Sequence, residues 1–170
     1  MNSHFFAMLA RMKYINRWAL MRNIQEESIC QHSMETAAFA HALALIKNKY
    51  FGGSLNADRA AVLALYHDMP EIITGDLPTP VKYFNEDMKE VYSKVEENAC
   101  IKLLSMLPDE LKEDYSPLFF KEDKDEYLWK IVKAADKINA MTKCLEEKKA
   151  GNKEFDKFVQ YVNQTIGGNQ

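Results

Sequence analysis

A histidine–aspartate pair stands where the most apolar helical segment of the sequence ends. His67 and Asp68 directly follow the apolar run 62–66, and two further carboxylates, Glu71 and Asp76, come shortly after them. Buried charges are costly unless they are paired or bound to a metal. The segment therefore predicts a charged site that either binds a cation or holds a network of ion pairs.

Another acidic residue lies far along the chain in an equally apolar setting. Asp136 is in the middle of a strongly apolar helical segment, with Val132 and Ala140 one turn away on either side. A carboxylate in such a position is usually paired or metal-bound if it is buried. An ion pair with Lys133 or Lys137 is the alternative to a metal-binding role.

Helical geometry separates the histidines. His32 and His41 are nine positions apart on one predicted helix, about 180° around its axis, so they cannot face one site. His41 has apolar neighbours and is interpreted as an ordinary helix-face histidine, as is His4 near the terminus. His32 is close to the start of its helix, where a side chain can project toward a neighbouring helix end.

Two imidazoles and two carboxylates from three separate helices could satisfy one divalent cation. This candidate set consists of His32, His67, Asp68 and Asp136. Such a site would leave open positions for water and a substrate oxygen. Mixed nitrogen and oxygen donors accept manganese, iron, cobalt or zinc, so the sequence leaves the identity of the metal open.

Helical periodicity covers most of the chain, and no convincing alternating β pattern occurs. The first predicted helix has Ser3 as its cap. Longer helices are predicted from Ser28 to Tyr50, from Ala57 (cap Asn56) to His67, from the cap Asn85 to Pro108, and from Lys124 to Ala150. A short helical piece is predicted at 109–115 and a last helix at 154–166. Pro70 suits the first position of a short helical turn that carries Glu71. Residues 74–85 are predicted to form a stiff, proline-rich loop, and Pro117 predicts a break in the helical pattern.

The segment 124–150 has the clearest helical pattern, and Gly151 suits the C′ position that ends it. Its predicted buried stripe consists of Leu128, Ile131, Ala135, Ile138, Thr142 and Leu145. We therefore predict a single all-α domain spanning residues 1–170.

Composition narrows the kind of partner. The chain has 170 residues, enough for about one domain with a real core, and 22 basic against 25 acidic residues give a net charge of −3. This balance disfavours nucleic acid or an anionic membrane as a partner.

Cys30, Cys100 and Cys144 are scattered and odd in number, which argues against a disulfide framework and predicts a reducing cytoplasm. No apolar stretch approaches the length needed to cross a bilayer.

The order of His32, then His67-Asp68, then Asp136 resembles the H…HD…D signature of the HD-domain metal-dependent phosphohydrolases. Three longer stretches, "SHFFAMLARMKYINRWALMRN", "HDMPEIITGDLPTPVKYFN" and "KCLEEKKAGNKEF", are similar to the bacterial HD-domain 5′-deoxyribonucleotidases of the YfbR type. The likeness covers roughly residues 2 to 156. The loop from Gly75 to Asn85 is its most specific part, whereas Met69-Pro70 departs from the expected family pattern.

The resemblance implies an HD-domain helical bundle of about six to eight helices, a homodimer, and hydrolysis of deoxyribonucleoside 5′-monophosphates with one divalent metal. It also implies a role for each matching position. The metal ligands would be His32, His67, Asp68 and Asp136, and His32, Asp68 and Asp136 would also face the substrate. The other substrate-binding residues would be Arg17, Trp18, Asp76, Leu77, Pro78 and Thr79. The catalytic residues would be Glu71, Asp76 and Arg17.

The chemistry of several side chains agrees with these roles. Arg17 offers a planar donor fork suited to phosphate, although a surface arginine is the ordinary interpretation. Trp18 could form a wall against the sugar rather than a core anchor. Glu71 could orient water or pass a proton, and Asp76 could protonate the leaving oxygen or hold the substrate. The residues leave the division between these two open, and Thr79 adds a hydroxyl and free amides.

Two other functions remain open at this stage. One is hydrolysis of a different phosphorylated substrate by the same kind of site, such as a cyclic dinucleotide, an alarmone or a nucleoside triphosphate. The other is a non-catalytic helical binding module that keeps the metal ligands only as structure.

Overall fold

The computed structural model describes residues 4–82, 84–157 and 159–160. Within these ranges the chain forms eight α-helices and three short 3₁₀ turns, and its only strand-like feature is an isolated antiparallel bridge between Asn16 and Ser28. The helices are α1 (Phe5–Leu9), α2 (Ile29–Tyr50), α3 (Ala57–Tyr66), α4 (Glu71–Thr74), α5 (Thr79–Lys82), α6 (Glu86–Ser105), α7 (Asp109–Phe119) and α8 (Glu126–Lys149). The predicted all-α class is confirmed, whereas a single domain spanning 1–170 stays a prediction.

Local capping explains where the longer helices begin. Ser28 and Gln31 form a capping box at the start of α2, in which each side chain bonds the backbone of the other residue. Asn56 caps α3 and Asn85 caps α6 by accepting a backbone N–H three residues on. The predicted starts of these three helices are confirmed, while the predicted cap Ser3 lies outside the described residues.

The main core lies between α2, α3 and α8. Its buried side chains are mostly small, which lets the three helices approach closely; they include Ala37, Ala40, Ala44, Ala60, Leu63, Ala64, Val132 and Ala135. A second cluster joins α1, α4 and α6 and contains Phe5, Met12, Ile29, Met69, Ile72, Leu103 and Leu107. The ends of α2 and α3 that carry the candidate ligands are therefore braced from two sides.

Two proline-based expectations were wrong. Pro117 does not break the chain but lies inside the last turn of α7, where it removes only one hydrogen bond and the next residue, Leu118, is buried in the main core. Residues 74–85 are not loop throughout, because Thr79–Lys82 forms a helical turn in which Val81 and Lys82 donate to Pro78 O. Pro80 fits there because first-turn residues need no intrahelical donor.

Helix α8 lies within two residues of its predicted bounds, and Gly151 has the positive φ of 91° expected of a C′ residue. Its predicted buried stripe was partly wrong, since Ile138 and Leu145 are 36% and 48% exposed. The buried face instead includes three polar residues, Asn139, Lys143 and Glu147, whose hydrogen bonds compensate their burial.

The end of the chain is described only in part. Lys153–Phe155 is a 3₁₀ turn, and residues 156, 157, 159 and 160 are helical. The remainder of the predicted helix at 154–166 lies outside the described residues. Among the helices that are described, none has the length and apolar character required to span a bilayer.

Leu63→Ala is expected to lower the free energy of unfolding by about 2–5 kcal/mol, because Leu63 is fully buried between α2, α3 and α8. Urea denaturation followed by circular dichroism measures the change. Leu65→Ala, the same substitution two positions away at a residue 40% exposed, is the control and should cost clearly less. Equal losses in the two variants would contradict this description of the core.

Candidate metal centre and active site

The structure brings three of the four candidate ligands, His32, His67 and Asp68, into one group, and Asp136 joins this group through its contact with His32. His32 Nε2 lies 2.9 Å from Asp136 Oδ1 and 3.7 Å from Asp68 Oδ2, and His67 Nε2 lies 3.2 Å from Asp68 Oδ1. Ligand atoms of His32, His67 and Asp68 all fall within 4.8 Å of one another. Helix α2, the end of α3 and helix α8 thus contribute to one cluster, and Asp136 contacts His32 rather than facing away.

The His67 ring shows why this cluster suits a cation. Its Nδ1 is 2.7 Å from the carbonyl oxygen of Ala64, so in the neutral ring the proton is on Nδ1 and Nε2 carries the lone pair. That lone pair faces the carboxylate oxygen of Asp68, and Nε2 is buried with no hydrogen-bond partner among the described residues. In this neutral form the two acceptors repel each other unless a cation lies between them. The mixed nitrogen and oxygen donors therefore fit a divalent metal.

A buried shell fixes the orientation of the His32 ring. The ring is fully buried, and Nδ1 lies 3.2 Å from Glu27 Oε1, so Nε2 is directed at the acidic cluster. Asn139 donates to His32 O at 3.0 Å and to Thr36 Oγ1 at 3.1 Å, which ties α2 to α8 next to the ligand. Such outer contacts orient metal-binding histidines and set their basicity.

The charge on His32 follows from these contacts. Burial lowers the pKa of the ring, but the hydrogen bonds to Asp136 and Glu27 outweigh it and raise the pKa to about 9. For Asp136, burial raises the pKa, and the hydrogen bond from His32 outweighs that effect and lowers it below the ordinary value. At neutral pH a proton therefore competes with a metal ion for His32 Nε2.

Arg17 brings a fixed positive charge to the cluster. It donates from a terminal guanidinium nitrogen to Asp68 Oδ2 at 3.0 Å, and its side chain is largely buried. Burial lowers the pKa of Arg17, yet the surrounding carboxylates, led by Asp68 and Glu27, raise it overall, so the guanidinium stays charged. Its buried Nε has no hydrogen-bond partner within the described part of the chain. This Nε lies 3.6 Å from Glu27 Oε2, which is an ion-pair contact beyond hydrogen-bond distance. The planar guanidinium is suited to an anionic ligand such as phosphate.

Trp18 adopts an unusual backbone conformation beside Arg17. Its φ is +63°, which for a bulky residue costs on the order of 1–3 kcal/mol and persists only where neighbours impose it. The Trp18 backbone N–H donates to Asp76 Oδ2 at 3.1 Å, and the indole Nε1 donates to Glu27 Oε2 at 2.6 Å. The ring also packs edge-on against Phe155, with centroids 5.4 Å apart. Trp18 is therefore held on three sides.

The two candidate proton-transfer residues have different environments. Burial, together with the negative charges of Asp68 and Asp76, raises the pKa of Glu71 well above its usual range. Glu71 Oε2 is buried and has no hydrogen-bond partner in the residues described. Asp76 is already engaged by the Trp18 backbone. Glu71 is thus suited to hold a proton at neutral pH, whereas Asp76 is suited to position its neighbours.

The turn before Glu71 accommodates the unexpected Met69-Pro70. Met69 is fully buried in the second core cluster, and Pro70 directly precedes α4. The Glu71 N–H donates to Asp68 O at 3.0 Å, so Glu71 stays one tight turn from the ligand pair. Further along, Leu77 and Pro78 are half-buried and Thr79 is exposed at the start of α5. Contact of these three residues with a substrate stays a prediction.

Sequence reasoning missed Glu27 and Asn139. Glu27 precedes the Ser28 cap and lies outside any helical period, so no spacing rule points to it. Asn139 did carry a signal, because it follows Asp136 by three positions and thus shares its face of α8. A polar residue on an otherwise apolar face, one turn from a candidate ligand, indicates a supporting contact.

The fold has a close counterpart among solved structures. An HD-domain phosphohydrolase from Listeria innocua superposes with a TM-score of 0.85 at 26% sequence identity, covering 97% of this chain and 79% of that chain. The helical bundle, with its histidine–aspartate cluster drawn from three helices, places the protein in the class of HD-domain phosphohydrolases.

Sequence comparison narrows this class to one family. The family model described as 5′-deoxynucleotidase YfbR-like matches residues 4–170. The 5′-deoxynucleotidase VV1113 of Vibrio vulnificus is 58% identical over 153 residues, covering 90% of this chain and 79% of the relative. The 5′-deoxynucleotidase YfbR of Salmonella paratyphi B is 55% identical over 164 residues, covering 96% and 82%. The chain belongs to the YfbR-like 5′-deoxynucleotidase family, as the sequence motifs predicted.

Metal affinity is expected to rise with pH up to about 9, the pKa of His32, because a metal ion must displace the proton on Nε2. Calorimetric titration with Mn²⁺ between pH 6 and pH 8.5, in buffers of different ionisation enthalpy, measures both the affinity and the protons released. His41→Gln is the control, since His41 lies on the opposite side of α2. Affinity that does not change with pH would contradict His32 as a ligand.

Proposed function

We propose that the protein is a metal-dependent phosphomonoesterase that converts deoxyribonucleoside 5′-monophosphates into deoxynucleosides and inorganic phosphate. The observation that carries this proposal is the grouping of His67 Nε2, which is buried without a hydrogen-bond partner among the described residues, with Asp68 and His32, next to the guanidinium of Arg17. The first group suits a divalent cation and the second suits a phosphate oxygen. The names of the curated relatives support the deoxynucleotide as substrate.

In this proposal His32, His67, Asp68 and Asp136 hold one divalent cation. When bound, such a cation supplies charge neutralisation for a phosphoryl oxygen and lowers the pKa of nearby water. Cobalt or manganese suits the two imidazole and two carboxylate donors. Arg17 complements the cation by donating its N–H groups to the phosphate, whose charge would otherwise be repelled by the surrounding carboxylates.

Water attacks phosphorus, the bond from phosphorus to the 5′-oxygen breaks, and the leaving oxygen takes up a proton. Glu71 donates this proton, because its raised pKa keeps the carboxyl group neutral near pH 7. One proton of the attacking water stays on the phosphate and the other restores Glu71. Asp76 holds the Trp18 backbone and so shapes the substrate side of the site.

Trp18 supplies the wall against the sugar. Its indole N–H is already bonded to Glu27, so the ring offers a 2′-hydroxyl no donor. A buried hydroxyl without a partner costs about 1–3 kcal/mol, which favours a 2′-deoxy sugar. Leu77, Pro78 and Thr79 complete the pocket in this proposal, as the family resemblance implies.

The remaining parts of the proposal concern assembly and location. The substrate is a small molecule, and with a net charge of −3 neither nucleic acid nor a membrane surface is proposed as a partner. The resemblance supports a homodimer. The three free cysteines support a reducing cytoplasm.

A phosphate-release assay on a panel of mono-, di- and triphosphates with added Mn²⁺ or Co²⁺ tests the substrate class. Deoxynucleoside 5′-monophosphates should be hydrolysed fastest. Asp68→Asn should abolish this activity, because it removes one ligand oxygen charge and the partner of Arg17. Preferred hydrolysis of triphosphates or cyclic dinucleotides would overturn the substrate assignment, and the absence of any hydrolysis would favour a binding module.

Trp18→Ala is expected to reduce the preference for deoxy over ribo substrates, measured as the ratio of kcat/KM for deoxyadenosine and adenosine 5′-monophosphates. The reason is that removing the indole gives the 2′-hydroxyl access to water. Trp129→Phe serves as the control, because Trp129 packs against the main core. If the ratio is the same in Trp18→Ala as in the wild type, Trp18 does not select the sugar.

A further inference from the structure

The segment that carries Arg17, Trp18 and Glu27 has no helix or strand of its own. It is closed at its base by two backbone hydrogen bonds, Arg17 N to Glu27 O at 2.8 Å and Ile29 N to Ile15 O at 2.9 Å. The backbone groups further out still require partners, because a loop packed against protein cannot leave them unpaired. Those partners come from the far end of the chain.

A single buried carboxylate binds the middle of this loop. Glu147 is 2% exposed and accepts the backbone N–H groups of Ile24 at 2.9 Å and Gln25 at 3.1 Å. Lys143 Nζ and Asn152 Nδ2 also donate to it, at 2.6 Å and 2.8 Å. Burial raises the pKa of Glu147, but these four donors outweigh burial and lower the pKa to about 2. Glu147 is therefore ionised and fully bonded at neutral pH.

The two other polar residues extend the same network to carbonyl groups of the loop. Lys143 Nζ donates to Gln25 O, and Asn152 Nδ2 donates to Arg22 O at 2.6 Å. We refer to Lys143, Glu147 and Asn152 as the α8 clamp. All three are buried, and together they satisfy four backbone groups of the loop. Nothing in the proposed chemistry uses these residues, which leaves positioning of the loop as their function.

Two residues of the clamp and one residue of the metal cluster lie on one face of α8. Asp136, Asn139, Lys143 and Glu147 recur along α8 within about 80° of arc. Asp136 contacts His32 at one end of this row, and Glu147 holds the loop at the other. Just beyond Asn152, the fully buried Phe155 supports the Trp18 ring. A rigid helix therefore sets the distance between the cluster and the sugar wall.

We propose that the α8 clamp positions Trp18 against the site and so determines the selectivity for the 2′-deoxy sugar. The clamp residues are positioning residues, since they act through the loop and touch no reacting atom. Selectivity rests on the proposed function, whereas the position of Trp18 can be tested without it. The strained φ of Trp18 persists only where neighbours impose it, and the clamp supports the contacts of Trp18 with Asp76, Glu27 and Phe155 by fixing the rest of the loop.

The first test follows Trp18 directly. The chain has two tryptophans, so a Trp129→Phe background leaves Trp18 as the only tryptophan. In that background, with tryptophan excited selectively over the eight tyrosines, Glu147→Gln and Asn152→Ala should shift the tryptophan emission to longer wavelength and increase its quenching by acrylamide. Asn152→Ala is the milder change and keeps the test valid if Glu147→Gln does not fold. Unchanged emission and quenching in a folded clamp variant would overturn the proposal.

Asp125→Asn is the matched control. Asp125 is buried, is bonded to Arg59 at 2.6 Å, and lies eleven positions before Asp136, just as Glu147 lies eleven positions after it. This variant also breaks a buried ion pair, but Asp125 lies on the other side of Asp136 along the chain, roughly 16 Å from Asp136 at the helical rise per residue. It should leave the Trp18 emission as in the background protein. A shift equal to that of the clamp variants would mean general loosening and would overturn the proposal.

The second test measures selectivity in the otherwise wild-type protein. Both clamp variants should lower the deoxy-to-ribo ratio of kcat/KM for the adenosine monophosphates, roughly threefold or more, mainly through KM. Asp125→Asn should keep the wild-type ratio. A clamp variant with shifted emission but an unchanged ratio would overturn the selectivity role. If the wild type hydrolyses no deoxynucleotide, the proposed function fails, and the emission test still decides whether the clamp positions Trp18.

Discussion

The structure depends on compensation of buried negative charge. Four carboxylates, those of Asp68, Glu27, Asp76 and Glu71, act on the guanidinium of Arg17. The single positive charge of Arg17 cannot neutralise four carboxylates in a site largely removed from water. The charge of His32, the retained proton of Glu71 and the affinity of the cluster for a divalent metal all follow from this shortage of positive charge.

The arrangement of helices serves this constraint. Alanines along α2 and α3 let these helices approach α8 closely, which brings His32 and Asp136 within hydrogen-bond distance. The second core cluster fixes the turn through Met69 that follows the His67-Asp68 pair. Apolar packing also holds the carboxyl groups of Asp68, Glu71 and Asp76 near one another, although like charges repel. The energy of the core is used in part to oppose repulsion at the site.

Much of the fold and the identity of the four clustered side chains could be predicted from local signals. The caps at Ser28, Asn56 and Asn85 act through hydrogen bonds within three residues, so the sequence alone fixes where those helices begin. The buried face of α8 could not be assigned in this way. A periodicity of apolar residues points to Ile138 and Leu145, but long-range hydrogen bonds bury Lys143 and Glu147 instead. The role of Glu27 could not be predicted for the same reason, since its contacts with His32 and Trp18 are formed only in the tertiary fold.

The row of Asp136, Asn139, Lys143 and Glu147 on α8 constrains the number of residues in this helix as well as their types. Each residue of an α-helix advances the side-chain direction by about 100°, so one inserted or deleted residue between Asn139 and Lys143 would turn Glu147 away from the loop while Asp136 stayed in place. Substitutions in this part of α8 can be tolerated wherever the side chain faces solvent. Changes in residue number cannot, because the helix acts as a fixed spacer between the His32 contact and the loop.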